Sequence, residues 1–297
     1  MGPHGRWSSP TDGGLATVKP MRRALLMLPL MLLAACDRGT EDPASASPMP
    51  PSVRAVASSE TPPPALTPSP NQELPEELKP FAQLIQQRKT GPARIRLRRH
   101  LDAHPDDARA EFLFGLSYHR EKKYAAACEH MDRARELEPG YLLAHYFSGW
   151  AHYYLGELVE ARRAFDTHLA LAPEEPDTRF GLGLVEIEDG DLDAAERRFR
   201  EAIDMQGGEN ADRRELSKSW ARLADVHLLR NEFVEARDAL NTSIALYPDQ
   251  YEALFKLYRV LIRLGEDQRA EEVFAIYQSV KQRIRPDDAG SRQRVNR

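Results

Sequence analysis

The sequence predicts an all-α protein built as a linear stack of helical hairpins. Three observations carry this expectation. The first is an internal period of 34 residues: Gly115, Gly149 and Gly183 obey it, as do Ala93, Ala127, Ala161 and Ala195, and Pro105, Pro139 and Pro173. The second is that each period holds two amphipathic stretches joined by a short turn. The third is composition: 17 glycines in 297 residues and few β-branched runs favour helix over sheet. A lone hairpin cannot bury its apolar face, so such units must stack on their neighbours.

Taken from the N-terminus, the first element is an address. Met21-Arg22-Arg23 begins a positive segment, Ala24 to Leu33 is an apolar run broken only by Pro29, and Ala34-Ala35-Cys36 follows. A positive start, a short apolar centre and small residues at a cut site mark an export signal. As a helix the apolar run reaches about 15 Å, half of a bilayer's hydrocarbon core, so it is too short to span one. Leu33-Ala34-Ala35-Cys36 resembles the lipobox of bacterial lipoproteins. The resemblance implies cleavage before Cys36, a diacylglycerol on its thiol, and a lipid-anchored protein of the cell envelope facing the periplasm. The signal is expected over residues 21–35. Translation is expected to start at Met21, with residues 1–20 an upstream segment outside the native protein.

Residues 36–75 read as a tether rich in proline, serine and alanine, with Thr61-Pro62-Pro63-Pro64 and Thr67-Pro68-Ser69-Pro70 unable to form helix or sheet. A flexible chain of this length averages roughly 35 Å end to end, and a polyproline form approaches 120 Å. The helical body is expected over residues 76–285, in units 74–107 (partial), 108–141, 142–175, 176–209, 217–250 and 251–284. In the unit 108–141, Ala127, Met131, Ala134 and Leu137 recur at helical spacing, and Pro139 stops the second helix. Gly115 and Ala127 are small, which would let the two helices of a hairpin approach closely. The phase slips by seven residues after Met205, at Gly207-Gly208-Glu209-Asn210-Ala211-Asp212. The two glycines should end one helix, and Asn210 or Asp212 should cap a lengthened one running through Arg213 to Leu229. Residues 286–297 read as a disordered tail.

These units resemble the tetratricopeptide repeat, whose pattern asks for a bulky residue, Leu-Gly, Tyr, Ala, an aromatic, Ala and Pro at set offsets. The unit 142–175 carries Gly149, Gly156, Ala161, Phe165 and Pro173; 176–209 carries Leu182-Gly183, Gly190, Ala195, Phe199 and Ala202; 217–250 carries Trp220, Leu223-Ala224, Phe233, Ala236 and Pro248. Departures are Glu111 for the bulky residue and Tyr258 for the glycine. The resemblance implies a right-handed α-solenoid whose first helices line a concave groove that binds peptides or proteins. Groove positions are the fifth, ninth and twelfth of each unit. They hold Phe112, Leu116 and His119; Tyr146, Trp150 and Tyr153, flanked by Tyr154; Phe180, Leu184 and Ile187; Ala221, Asp225 and Leu228; and Phe255, Arg259 and Ile262. The expected binding surface is the apolar, aromatic part of this set: Phe112, Leu116, Tyr146, Trp150, Tyr153, Tyr154, Phe180, Leu184 and Ile187. It suits an amphipathic helix or a hydrophobic peptide. The lysine and asparagine set with which chaperone-binding members hold a terminal carboxylate is not found.

The function this implies is a membrane-tethered adaptor in the cell envelope. The alternatives are a self-associating structural lipoprotein, whose groove closes on a second copy, and an accessory subunit of a cell-wall enzyme with no catalysis of its own; the chain's own segment Leu74 to Arg88 is another candidate to fill the groove. The net charge of −5 argues against a nucleic-acid partner. Catalysis has little support. Cys128 and His130, two apart on a helix, do not face each other. His145 and His152 share a face, but no nearby acidic residue is expected to complete a metal set. No cofactor and no metal are expected, Cys128 being read as a small core residue and, with Cys36 acylated, a free thiol.

Overall fold

The computed structural model describes residues 72–208 and 211–284. These form twelve α-helices and no strands, paired into six antiparallel hairpins: α1 (Lys79–Gln86) with α2 (Thr90–Ala103), α3 (Ala108–Arg120) with α4 (Tyr124–Leu137), α5 (Leu142–Leu155) with α6 (Leu158–Leu171), α7 (Pro176–Asp189) with α8 (Leu192–Gln206), α9 (Arg213–Leu229) with α10 (Phe233–Leu246), and α11 (Tyr251–Leu264) with α12 (Asp267–Ile284). Each even-numbered helix from α2 to α10 packs between its own partner and the first helix of the next hairpin, and odd-numbered helices α1 to α9 touch in succession. The result is an all-α helical repeat solenoid. The export signal, Cys36, the tether up to residue 71, Asn210 and the tail 286–297 lie outside the described residues. Among the described residues no helix is long and apolar enough to cross a membrane.

One turn recurs at the fifteenth residue of every unit. Arg88, Lys122, Gly156, Gly190, Asn231 and Gly265 all have φ between 60° and 82°. This left-handed step lets the following amide donate back to the carbonyl five residues earlier, as in Lys123 to Tyr118 (3.0 Å), Glu157 to His152 (3.0 Å) and Glu232 to His227 (2.8 Å). Glycine holds the position without strain; at Arg88 and Lys122 the chain accepts a conformation that costs an L-residue energy.

Hairpin packing depends on missing side chains. A Cβ at Gly149 would meet the Phe165 ring at 2.5 Å, and one at Gly115 would lie 3.0 Å from the Ala127 carbonyl oxygen. Phe165 and Phe199, both fully buried, fill the space that the glycines leave. The core forms three large clusters in sequence along the stack. Tyr146 borders the first and second, and Trp220 the second and third.

The slip in period is absorbed locally. α8 ends at Gln206, Gly208 takes φ 120°, and α9 is lengthened to 17 residues. The Asp212 side chain caps α9 by accepting from the amides of Arg214 and Glu215. The longer helix still packs in register: Ser217 and Ser243 each donate to the other's carbonyl at 2.9 Å across the α9–α10 contact. The first hairpin is complete, but α1 spans only 8 residues, because Pro80 sits in its first turn.

Candidate functional site

The side chains that face out from the odd-numbered helices form a cleft of about 390 Å³ across α5, α7, α9 and α11. Its apolar part is Tyr153, Leu184, Ile187, Leu228 and Leu229; its charged part is Glu188, Arg222, Asp225, Lys256 and Arg259. Six of the ten occupy the ninth or twelfth place of their units, so one helical face, repeated at each hairpin, builds the cleft. Asp225 accepts from Arg222 at 3.0 Å and from Lys256 at 2.5 Å, which fixes two cations on one carboxylate. Arg259 is exposed and makes no ion pair among the described residues. Burial pushes the Tyr153 hydroxyl's pKa up, so it stays protonated and able to donate.

The aromatic residues expected in the groove divide into three groups. Tyr153, Leu184 and Ile187 line the cleft. Tyr146, Trp150, Tyr154 and Phe180 form a connected ring cluster beside it. Trp150 lies at its centre, 5.4 Å from Phe165, 5.9 Å from Tyr154 and 6.4 Å from Phe180. Tyr154 is 42% exposed, but Trp150 only 6%, and its indole N–H is buried with no hydrogen-bond partner. Phe112 and Leu116 depart from the expectation. They are 1% and 0% exposed, enclosed in the cluster to which α1 and its N-cap residue contribute Ala82, Ile85 and Leu78. The groove therefore does not open over the unit 108–141, where α1 packs against α3. Its usable part lies nearer the C-terminus and is more charged. Asp225, Leu228 and Arg259 carried the same positional signal as the aromatic set; Glu188, Arg222, Leu229 and Lys256 had none.

His119, also a groove position, is buried among Tyr124, Phe147 and Tyr154, at 5.3, 5.4 and 6.3 Å between ring centroids. Burial holds its pKa down to about 4, so the imidazole is neutral.

A second set of polar residues lies between hairpins. The twenty-first residue of one unit meets the eleventh of the next. Arg94 lies 4.6 Å over the Tyr118 ring, Arg162 pairs with Glu186 at 3.3 Å, and Cys128 packs beside His152. The expectation that His152 lacks an acidic neighbour is corrected here. Its Nδ1 lies 2.7 Å from Glu157 Oε2, and its Nε2 lies 3.9 Å from Asp132 Oδ1. Glu157 lies five residues on in the same unit and is brought back by the turn at Gly156, whereas Asp132 and Cys128 belong to the preceding hairpin and could not be read along the chain. Cys128 is a free, buried thiol. Cys128 Sγ, a His152 ring nitrogen and a Glu157 carboxylate oxygen all lie within 4.8 Å of one another. The neighbouring Asp132 carboxylate, followed by Cys128, leads the influences that raise the His152 pKa to about 10.

Residues 84–141, 146–210, 180–250 and 221–289 match the tetratricopeptide repeat. The sequence matches none of the curated proteins with which it was compared. Among solved structures, PilF of Pseudomonas aeruginosa is similar with a TM-score of 0.58 and 19% identity, over 71% of this chain and 90% of that one. MamA from residue 41 onward, of Desulfovibrio magneticus RS-1, is similar with a TM-score of 0.51 and 18% identity, over 60% of this chain and 99% of that one. At these identities the likeness is one of fold.

Proposed function

This chain belongs to the tetratricopeptide repeat family, and on that premise we propose that it is a lipid-anchored adaptor of the cell envelope that holds a segment of a partner protein in the cleft between Tyr153 and Arg259. The repeat is a protein-interaction scaffold. The observation that carries the reading is the cleft itself. It offers apolar contacts on α5 and α7 and three cations against two acids on α7, α9 and α11. A peptide that buries apolar side chains against Leu184, Ile187 and Leu228 and sets a carboxylate beside Arg259 matches both parts. The volume suits a few side chains of such a segment rather than a whole domain.

The anchor rests on the sequence of residues 21–36. With Cys36 acylated, the tether keeps the repeats near a membrane while leaving the cleft open to a partner.

Two measurements test these parts separately. Cys36→Ser should move the protein from the membrane fraction to the soluble fraction; unchanged partition removes the anchor. Affinity capture from solubilised membranes should retrieve a partner that is lost with Tyr153→Ala and Arg259→Glu combined, with the helical circular dichroism unchanged. Equal capture by the variant places the partner elsewhere.

A further inference from the structure

We propose that Cys128, His152 and Glu157 bind one divalent transition-metal ion of the zinc class at the junction between the units 108–141 and 142–175, with Asp132 at the margin of the site. A thiolate, an imidazole and a carboxylate are the donor set that zinc, cobalt and nickel take, whereas magnesium and calcium take oxygen alone. The three donor atoms already lie within 4.8 Å of one another. Zinc needs them about 2.0–2.3 Å from a common centre, so the three donors must draw together on binding, and Glu157 is the one with room to move. That side chain is 50% exposed, while His152 and Cys128 are more than nine-tenths buried, so two ligands are held and the third closes from solvent.

The other junctions show what this one has in place of an ion. At each of them an arginine crosses between units: Arg94 to Glu121 (2.8 Å), Arg162 to Glu186 (3.3 Å), Arg230 to Glu196, and Arg237 to Glu266 (2.9 Å). The junction around His227 is the nearest equivalent, because His227 Nδ1 meets Glu232 at 2.6 Å as His152 meets Glu157. There, Arg230 bonds Glu196 and lies 3.8 Å from Glu232, and Arg200 bonds Glu196 at 2.6 Å. A built-in cation thus occupies the acidic cluster. At the Cys128 junction the residue in the place of Arg230 is Leu155, that in the place of Arg200 is Asp132, and that in the place of Glu196 is Cys128. The acid of the turn remains as Glu157, a second acid stands where Arg200 does, the crossing arginine is gone, and a soft ligand replaces Glu196. Arg135 pairs with Asp132 Oδ1 at 2.6 Å, the oxygen that also lies 3.9 Å from His152 Nε2, so Asp132 is shared with a cation of its own helix.

Glu157 is also free of a competing duty. It is the N-cap residue of α6, yet its side chain makes no capping hydrogen bond and turns to His152. Coordination would release the protons carried by the Cys128 thiol and the His152 ring, and leave a position for water or for Asp132. The ion would join α4, α5 and the turn into α6, and so stiffen the stack next to Tyr153.

The test uses the tag-free full chain carrying Cys36→Ser, so that Cys128 is its single thiol. Addition of cobalt(II) to metal-free protein should give one bound ion per chain and a thiolate-to-metal charge-transfer band. Zinc should then displace the cobalt and raise Tm. Cys128→Ser should abolish the band, Glu157→Gln should weaken zinc binding by roughly tenfold to a hundredfold, and Glu232→Gln should change neither. Glu157 is on the surface, so its variant keeps the test valid if Cys128→Ser misfolds. Absence of the band, its persistence in Cys128→Ser, or equal zinc affinity in Glu157→Gln overturns the proposal.

Discussion

His152 and Glu157 are joined twice: the Glu157 amide donates to the His152 carbonyl at 3.0 Å, and the His152 ring Nδ1 lies 2.7 Å from the Glu157 carboxylate. The backbone bond follows from the left-handed turn at Gly156, which folds the sixteenth residue of the unit back over the eleventh. The side-chain contact is a consequence of that turn, and it recurs between His227 and Glu232.

The first prediction concerns alkaline pH. In the metal-free protein, Asp132, Cys128 and Glu157 hold the His152 pKa up to about 10, against 6.5 for a free imidazole. A group with a raised folded pKa contributes stability that is complete below its unfolded value and fades as pH rises through the folded one. Urea midpoints should fall between pH 6.5 and 10, and His152→Gln should flatten that part of the profile. A flat wild-type profile would show that His152 is not charged in the fold.

The second concerns acid. Burial lowers the pKa of His119 and of His168 to about 4 each, so both stay neutral in the fold while the unfolded chain takes up protons below about 6.5. Stability should fall as pH drops from 6.5 towards 4. His119→Phe, which keeps a ring among Tyr124, Phe147 and Tyr154, should remove part of that loss. An unaltered acid limb in this variant would refute the assignment.

The third uses the left-handed turns. Lys122 at φ 60° occupies the position that Gly156 fills at φ 79° in the next unit. Lys122→Gly should raise stability by about 0.5–1 kcal/mol, the relief of strain exceeding the added chain entropy. Gly156→Ala should lower it by about 1 kcal/mol. Opposite signs in urea denaturation are the expected result.

The fourth addresses hairpin packing. A methyl group at Gly149 would stand 2.5–2.6 Å from two carbons of the Phe165 ring, which is itself enclosed. Gly149→Ala should cost about 1–3 kcal/mol, as overpacking does elsewhere. A second substitution, Phe165→Leu, should recover part of it if the clash is the cause.

The fifth separates the cleft from the cluster beside it. Trp150→Ala should cost about 3–5 kcal/mol, because the ring packs on Phe165 and Phe180. Any loss of partner capture in that variant is then confounded with unfolding. Trp150→Phe should be far milder, since the indole N–H that it removes has no partner. Arg259→Glu should leave the melting temperature unchanged and still reduce capture.

The hairpins were legible in the sequence because each one solves the same packing problem. Gly149 and Gly183 recur since each must admit a phenylalanine, Phe165 and Phe199, from the facing helix. The lengthened α9 was legible too, because an aspartate cap is a local device that reads along the chain. Other features depended on contacts between hairpins. Leu116 and Trp150 hold the same place in successive units, and only the packing of α1 decides that Leu116 is enclosed in the core while Trp150 supports an open cleft. Cys128 and His152 lie in different units, and whether they meet depends on how one hairpin seats on the next. Periodicity along one helix fixes which side chains share a face; what covers that face is set by surfaces distant in the chain, and this only the tertiary structure decided.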